Sequence, residues 1–277
     1  MGRRLLPGVL LLMMLLAGCM ENLFMQWDMV ELPSADEMNT KASSDPEGFL
    51  EDVNEYLAMH EDTINEKNAP EVITALQIVY AAPGISGETK AEAALLIGEI
   101  SLEEDKNAGI FINSVGNALD DLQNMQDGAD VSAVIQALVP PEVKTDPVLF
   151  GSMIDTLLSS SDGYLDFGMQ LQNDNITDPD QILYLDGGDI GSTVQRTAIT
   201  TAVKAVLDAL DGAVDGSIDD PETQKTILFN LVNGEAWPTT GVGDPTVIFG
   251  DSPPPAYEGL DDVLGLMGLD LSGGDQG

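Results

Sequence analysis

One cysteine, one histidine and 48 carboxylates are the side chains from which this 277-residue chain could build chemistry. His60 stands alone, so neither a Ser-His-Asp nor a Cys-His arrangement can be assembled, and a zinc site would need carboxylates or water for nearly all its ligands. At helical spacing His60 falls in line with Phe49, Val53, Tyr56, Leu57 and Ile64, which places it at the edge of an apolar stripe. The sequence holds no glycine-rich phosphate loop and no dinucleotide fingerprint. Paired carboxylates could hydrolyse a glycosidic bond, but no pair stands apart from the others by its spacing. The expectation is a protein that is not an enzyme.

The most specific constellation is DGAVDGSIDDPE, residues 211–222. It places Asp211, Asp215, Asp219 and Glu222 at positions 1, 5, 9 and 12 of a twelve-residue EF-hand loop, with Gly216 at the turn and Ile218 at the usual apolar position. Such a ring of oxygens suits calcium, a hard cation. Two residues depart from the pattern: Ala213 removes the ligand expected at position 3, and Pro221 adjoins the bidentate position. The same residues also read as a helix start, with Asp220 as N-cap and Pro221 in the first helical position. Calcium is the one cofactor the sequence suggests.

Cys19 has a more definite context. Arg3 and Arg4 precede an apolar run, Leu5 to Leu16, that is too short for a membrane span of ~20 residues and has the form of an export signal. Leu16-Ala17-Gly18-Cys19 resembles the lipobox of bacterial lipoproteins. That resemblance implies diacylglyceryl modification of the Cys19 sulfur, cleavage after residue 18 and acylation of the new amine. Each buried methylene contributes ~0.8 kcal/mol, so two or three acyl chains hold a protein stably on a membrane it does not span. Met20 stands where lipoproteins retained on the inner membrane often carry Asp, and this implies the outer membrane in a cell that has two.

Ten basic residues against the 48 acids give a formal charge of −38. A chain so acidic repels phosphate backbones, and nucleic acid is not expected as a partner. With one cysteine, assigned to the anchor, no disulfide framework exists, so stability must come from a core. Hydrophobic content of 43%, low aromatic content and abundant Ala, Leu, Val and Ile point to packed helices.

Helical periodicity predicts segments at 47–66, 70–82, 88–104, 107–125, 130–139, 146–159, 163–172, 194–210 and 221–233, divided by Gly, Pro and Asp turns. The expected fold is all-α, either an antiparallel bundle or a short irregular helical-repeat array over residues 46–233. Residues 91–119 look like a degenerate tetratricopeptide unit whose Gly98-to-Ala108 spacing is two residues short. An exported lipoprotein with such helices is similar in architecture to the partner-binding T component of TRAP-type uptake systems; no functional residues carry over.

The flanks differ from the body. Residues 19–45 are expected as a lipidated tether whose Leu23, Phe24, Trp27 and Val30 form a stripe, lying either at the lipid interface or against the body. Residues 234–277 form a Gly/Pro-rich region ending in an amphipathic tail, with Leu260, Val263, Leu264 and Met267 on one helical face as partner-binding candidates. The function expected from all this is a lipid-anchored cell-envelope protein that binds or scaffolds another envelope protein or a small ligand. A carboxylate-based, calcium-dependent envelope hydrolase is the alternative.

Overall fold

A computed structural model describes residues 32–59, 63–122, 138–178, 181–186, 190–212 and 220–234. Among the described residues the regular structure is entirely helical: ten α-helices, one short 3-10 turn and no strand. The all-α expectation is met.

The first helix, α1 (Ala35–Ser44), begins with a capping box. Ser34 Oγ accepts from the Glu37 amide, and the Glu37 carboxylate accepts from the Ser34 amide at 2.9 Å, so two otherwise orphaned donors are satisfied. Its Met38 and Ala42 are buried. Residues 35–44, expected as the end of a tether, are therefore part of the helical body. Asp45 closes α1 through its own amide and opens α2 (Pro46–Met59) through its carboxylate, which accepts from the Gly48 amide at 3.3 Å. The helix expected to run to residue 66 thus stops earlier; Ile64 is buried from the turn that follows, and His60 lies outside the described residues.

Pro70 in its first turn starts α3 (Ala69–Ala81), and Pro83-Gly84 follows its end, Gly84 with the positive φ of 80° that glycine tolerates. The next helix, α4 (Gly87–Ser101), is capped by the Ser86 hydroxyl and runs through the centre of the molecule, with eleven of its 15 residues buried. A 3-10 turn at Leu102–Glu104 leads to α5 (Lys106–Leu122), and after the one-turn α6 (Pro141–Lys144) comes the longest helix, α7 (Pro147–Asp174). Asp146 caps α7 by accepting from the amides of Val148 and Leu149, and Asn175 ends it in the left-handed conformation. Two shorter pieces and one long helix complete the body: α8 (Leu183–Asp186), α9 (Ile190–Gly212) and α10 (Pro221–Val232).

Periodicity predicts a break between 159 and 163, but α7 is continuous. The residues that read as a break, Ser160, Ser161 and Gly163, are its contact seam with α4. Both serines are fully buried, Ser160 Oγ donates to the Gly98 carbonyl at 2.7 Å, and Gly163 lies directly against the α4 backbone at Gly98. Small residues here permit close approach of two helices.

Three apolar clusters fill the interior. The first joins α1, α2, α3 and one side of α4 through Met38, Phe49, Val53, Leu76 and Leu96. The second joins the other side of α4 to the C-terminal half of α7 and to α8 through Leu95, Tyr164, Phe167 and Leu185. The third gathers α5, α6, the N-terminal half of α7, α9 and α10. There Phe150 and Phe229 meet edge to face, 5.5 Å between centroids at 69°.

Candidate functional site

Two carboxylates lie inside the molecule on α4. Glu92 and Glu99 are separated by two helical turns, ~10 Å along the axis at 1.5 Å per residue. Each is 4% exposed. Burial without partners would be costly, and both have partners. Glu92 accepts from Asn54 Nδ2 at 2.6 Å and from the Tyr184 amide at 3.0 Å, which ties α2 and α8 to α4. Burial pushes its carboxyl above the usual carboxylate range, and these donors only partly oppose that.

Glu99 forms an ion pair with the Arg196 guanidinium and accepts from Thr193 Oγ1 at 3.1 Å, which ties α9 to α4. Burial works against the charge of Arg196, and the adjoining Glu99 carboxylate outweighs it, so the guanidinium is held above its ordinary value. Burial, then the Glu99 carboxylate, likewise pushes up the hydroxyls of Tyr164 and Tyr184. The result is a polar band whose charged groups face one another inside the body. Chemically it acts as a clamp: hydrogen bonds and one ion pair fix three helices, α2, α8 and α9, against α4.

An open site lies elsewhere, in a groove of about 640 Å³ between the N-terminal half of α7 and α10. Pro147, Val148 and Phe229 supply apolar wall, and Glu104, Asp155, Glu222 and Lys225 supply charge. Lys225 Nζ sits between the carboxylates of Asp155 and Glu222, at 2.7 and 2.8 Å. Its burial lowers the lysine pKa, but the two hydrogen-bonded carboxylates more than offset this and hold it above its ordinary value. Glu104, at the end of the 3-10 turn, is pushed up by burial alone. A volume in this range with an apolar wall and a few convergent polar groups has the dimensions of a binding cleft.

Of the calcium candidates, Asp211 falls in the last turn of α9, and Asp215 and Asp219 lie outside the described residues. Glu222 is in the first turn of α10 and is engaged by Lys225. Asp220 accepts from the Thr223 hydroxyl at 2.7 Å immediately before Pro221, so this end of the segment is built as a helix start. Among the described residues no group of three or more His, Cys, Asp or Glu side chains is placed to hold a metal ion. Cys19 and the tail positions Leu260, Val263, Leu264 and Met267 lie outside the described residues. No described helix is long and apolar enough to cross a membrane.

Sequence reasoning missed Glu92, Glu99, Arg196 and the Lys225 bridge. A signal for the first two was present: in AEAALLIGEIS the glutamates interrupt a helix with no other polar face, so they must turn inward. Nothing in the sequence marked which of the basic residues would meet them. No family model, curated protein or solved structure matches the chain.

Proposed function

We propose that this chain is a lipid-anchored, non-enzymatic protein of the bacterial cell envelope that binds or scaffolds another envelope protein. The observation that carries the reading is Leu16-Ala17-Gly18-Cys19 at the end of an apolar run with basic residues before it. Order, spacing and position agree with diacylglyceryl attachment at Cys19, and the acyl chains would supply the membrane affinity. With Met20 rather than Asp after the cysteine, the outer membrane is the proposed site in a two-membrane cell. The helical body gives such an anchor something to present. Glu92 and Glu99 tie helices together inside it, the use expected of a scaffold, and the α7–α10 groove offers a partner a concave surface.

Replacement of Cys19 tests the anchor. Cells labelled with radioactive palmitate should incorporate label into the wild type and not into Cys19→Ser, and the substituted protein should accumulate uncleaved or leave the membrane fraction. A cleaved Cys19→Ser protein that still fractionates with membranes would overturn the reading. Cross-linking in the native envelope, with the wild type and Cys19→Ser side by side, then identifies which neighbours depend on the anchor.

A further inference from the structure

The groove between α7 and α10 combines features that specify what would fill it. Val148, on its wall, is 78% exposed, and Leu149 beside it is 37% exposed, although both lie in the first turn of a long, otherwise well-packed helix. Water-exposed apolar side chains beside a concavity mark an interaction surface more than isolated ones do. The charge around them is unbalanced. Lys225 is shared by Asp155 and Glu222, which leaves one negative charge over, and Glu104 makes no hydrogen bond or ion pair among the described residues while half-withdrawn from water.

An occupant must therefore bring apolar side chains for Val148 and Phe229 and positive charge for Glu104. The chain's own C-terminal segment does not fit: residues 256–273 carry Glu258, Asp261, Asp262 and Asp270, and no basic residue follows Lys225 anywhere in the sequence. A second copy of this chain, at a formal charge of −38, would be repelled as well. A groove bounded by two helices most readily receives a third element of the same kind.

We propose that the α7–α10 groove binds a short amphipathic segment of a partner protein that carries lysine or arginine beside apolar side chains. This deepens the binding reading above and rests on it. The apolar contact with Val148 and Phe229 provides affinity, and the cation meeting Glu104 provides orientation and selects against acidic segments.

The test uses purified full-length protein and three labelled model peptides of ~14 residues, about four helical turns: one of Leu and Lys in amphipathic order, one with Glu for Lys, and one with Ala for Leu. Fluorescence anisotropy at ~0.15 M salt, where the Debye length is ~8 Å, limits non-specific attraction to the acidic surface. The Leu/Lys peptide should bind, the Glu analogue should not, and the Ala analogue should bind at least about tenfold more weakly, a difference of ~1.4 kcal/mol. Val148→Asp and Glu104→Lys should each weaken the Leu/Lys peptide about tenfold, whereas Glu51→Lys, the same charge change on the exposed face of α2, should not. Unchanged circular dichroism of the variants confirms that folding is intact. Equal weakening by Glu104→Lys and Glu51→Lys, or none by Val148→Asp, would mean net-charge attraction only and would overturn the proposal. So would a tenfold gain in affinity on deletion of residues 235–277, which would identify the chain's own tail as the occupant. Peptide binding is read in solution and does not need the anchor, so failure here and failure of the Cys19 experiment are separate results.

Discussion

Adding one methyl group at two helical glycines should move the stability of this protein in opposite directions. A Cβ at Gly163 would lie 2.5 Å from the Gly98 nitrogen, 2.7 Å from its Cα and 3.1 Å from the Ala94 carbonyl oxygen. Those atoms are backbone of α4 and cannot rotate away, while ordinary carbon contacts begin near ~3.5 Å. Helices α4 and α7 would have to part by about 1 Å, a gap that forfeits a quarter to a half of each dispersion contact along the seam. Overpacking of this kind costs about 2 kcal/mol, and loosening the Ser160-to-Gly98 hydrogen bond adds ~1 kcal/mol. Alanine's better helix propensity returns ~1 kcal/mol. Gly163→Ala is thus expected to destabilise by about 2 kcal/mol, or a fall in Tm of ~6 °C for a body of this size. At Gly109 in α5 nothing lies within 4 Å of the added Cβ, so Gly109→Ala keeps the propensity gain and should stabilise by up to ~1 kcal/mol. Urea unfolding of the two full-length variants, followed by the helical circular dichroism signal, should show midpoints on either side of the wild type. A Gly163→Ala protein as stable as the wild type would refute the close crossing of α4 and α7.

The buried polar band supports two more predictions. Arg196→Met removes the cation from the buried Glu99 carboxylate, a loss of about 3 kcal/mol; adding Glu99→Gln to the same protein should restore part of it, and strictly additive effects in urea unfolding would show the two are not coupled. Glu92 concerns pH. Its carboxyl is raised in the folded chain above the unfolded value, so protonation favours the fold: this contribution is fully present below the unfolded pKa and is lost as pH rises through the folded one. Measured against Glu92→Gln, the wild type should lose stability as pH rises above the ordinary carboxylate range, and parallel stability curves would contradict the burial of this group.

What could be read from the sequence was what depends on local physics. The Pro70 and Pro83-Gly84 boundaries, Asp45 before Pro46 and Asp220 before Pro221 were all legible, because capping and proline chemistry act within a single turn. The helix at 35–44 was missed although its Ser-x-x-Glu box was in view, since only Met38 and Ala42 are buried and the surrounding residues are polar. The false break in α7 had the opposite cause. Ser160, Ser161 and Gly163 have low helix propensity, and the helix persists because smallness there allows α4 to approach, a benefit that exists only once both helices are packed together. The groove was invisible for the same reason: Glu104, Val148 and Lys225 are far apart in sequence, and tertiary packing alone brings them together.

The place of α4 explains how the rest is arranged. A helix buried on every side has no solvent face on which to carry charge, so its two glutamates must be matched from neighbouring helices, and those matches fix which helices can be its neighbours. Asn54 and the Tyr184 backbone settle α2 and α8 at one level, and Arg196 with Thr193 settles α9 two turns further on. Apolar packing alone tolerates sliding of one helix along another; charge pairs at fixed levels do not. Leu32, where the described chain begins, packs on the first apolar cluster, whereas the groove opens over Phe229, beside the third.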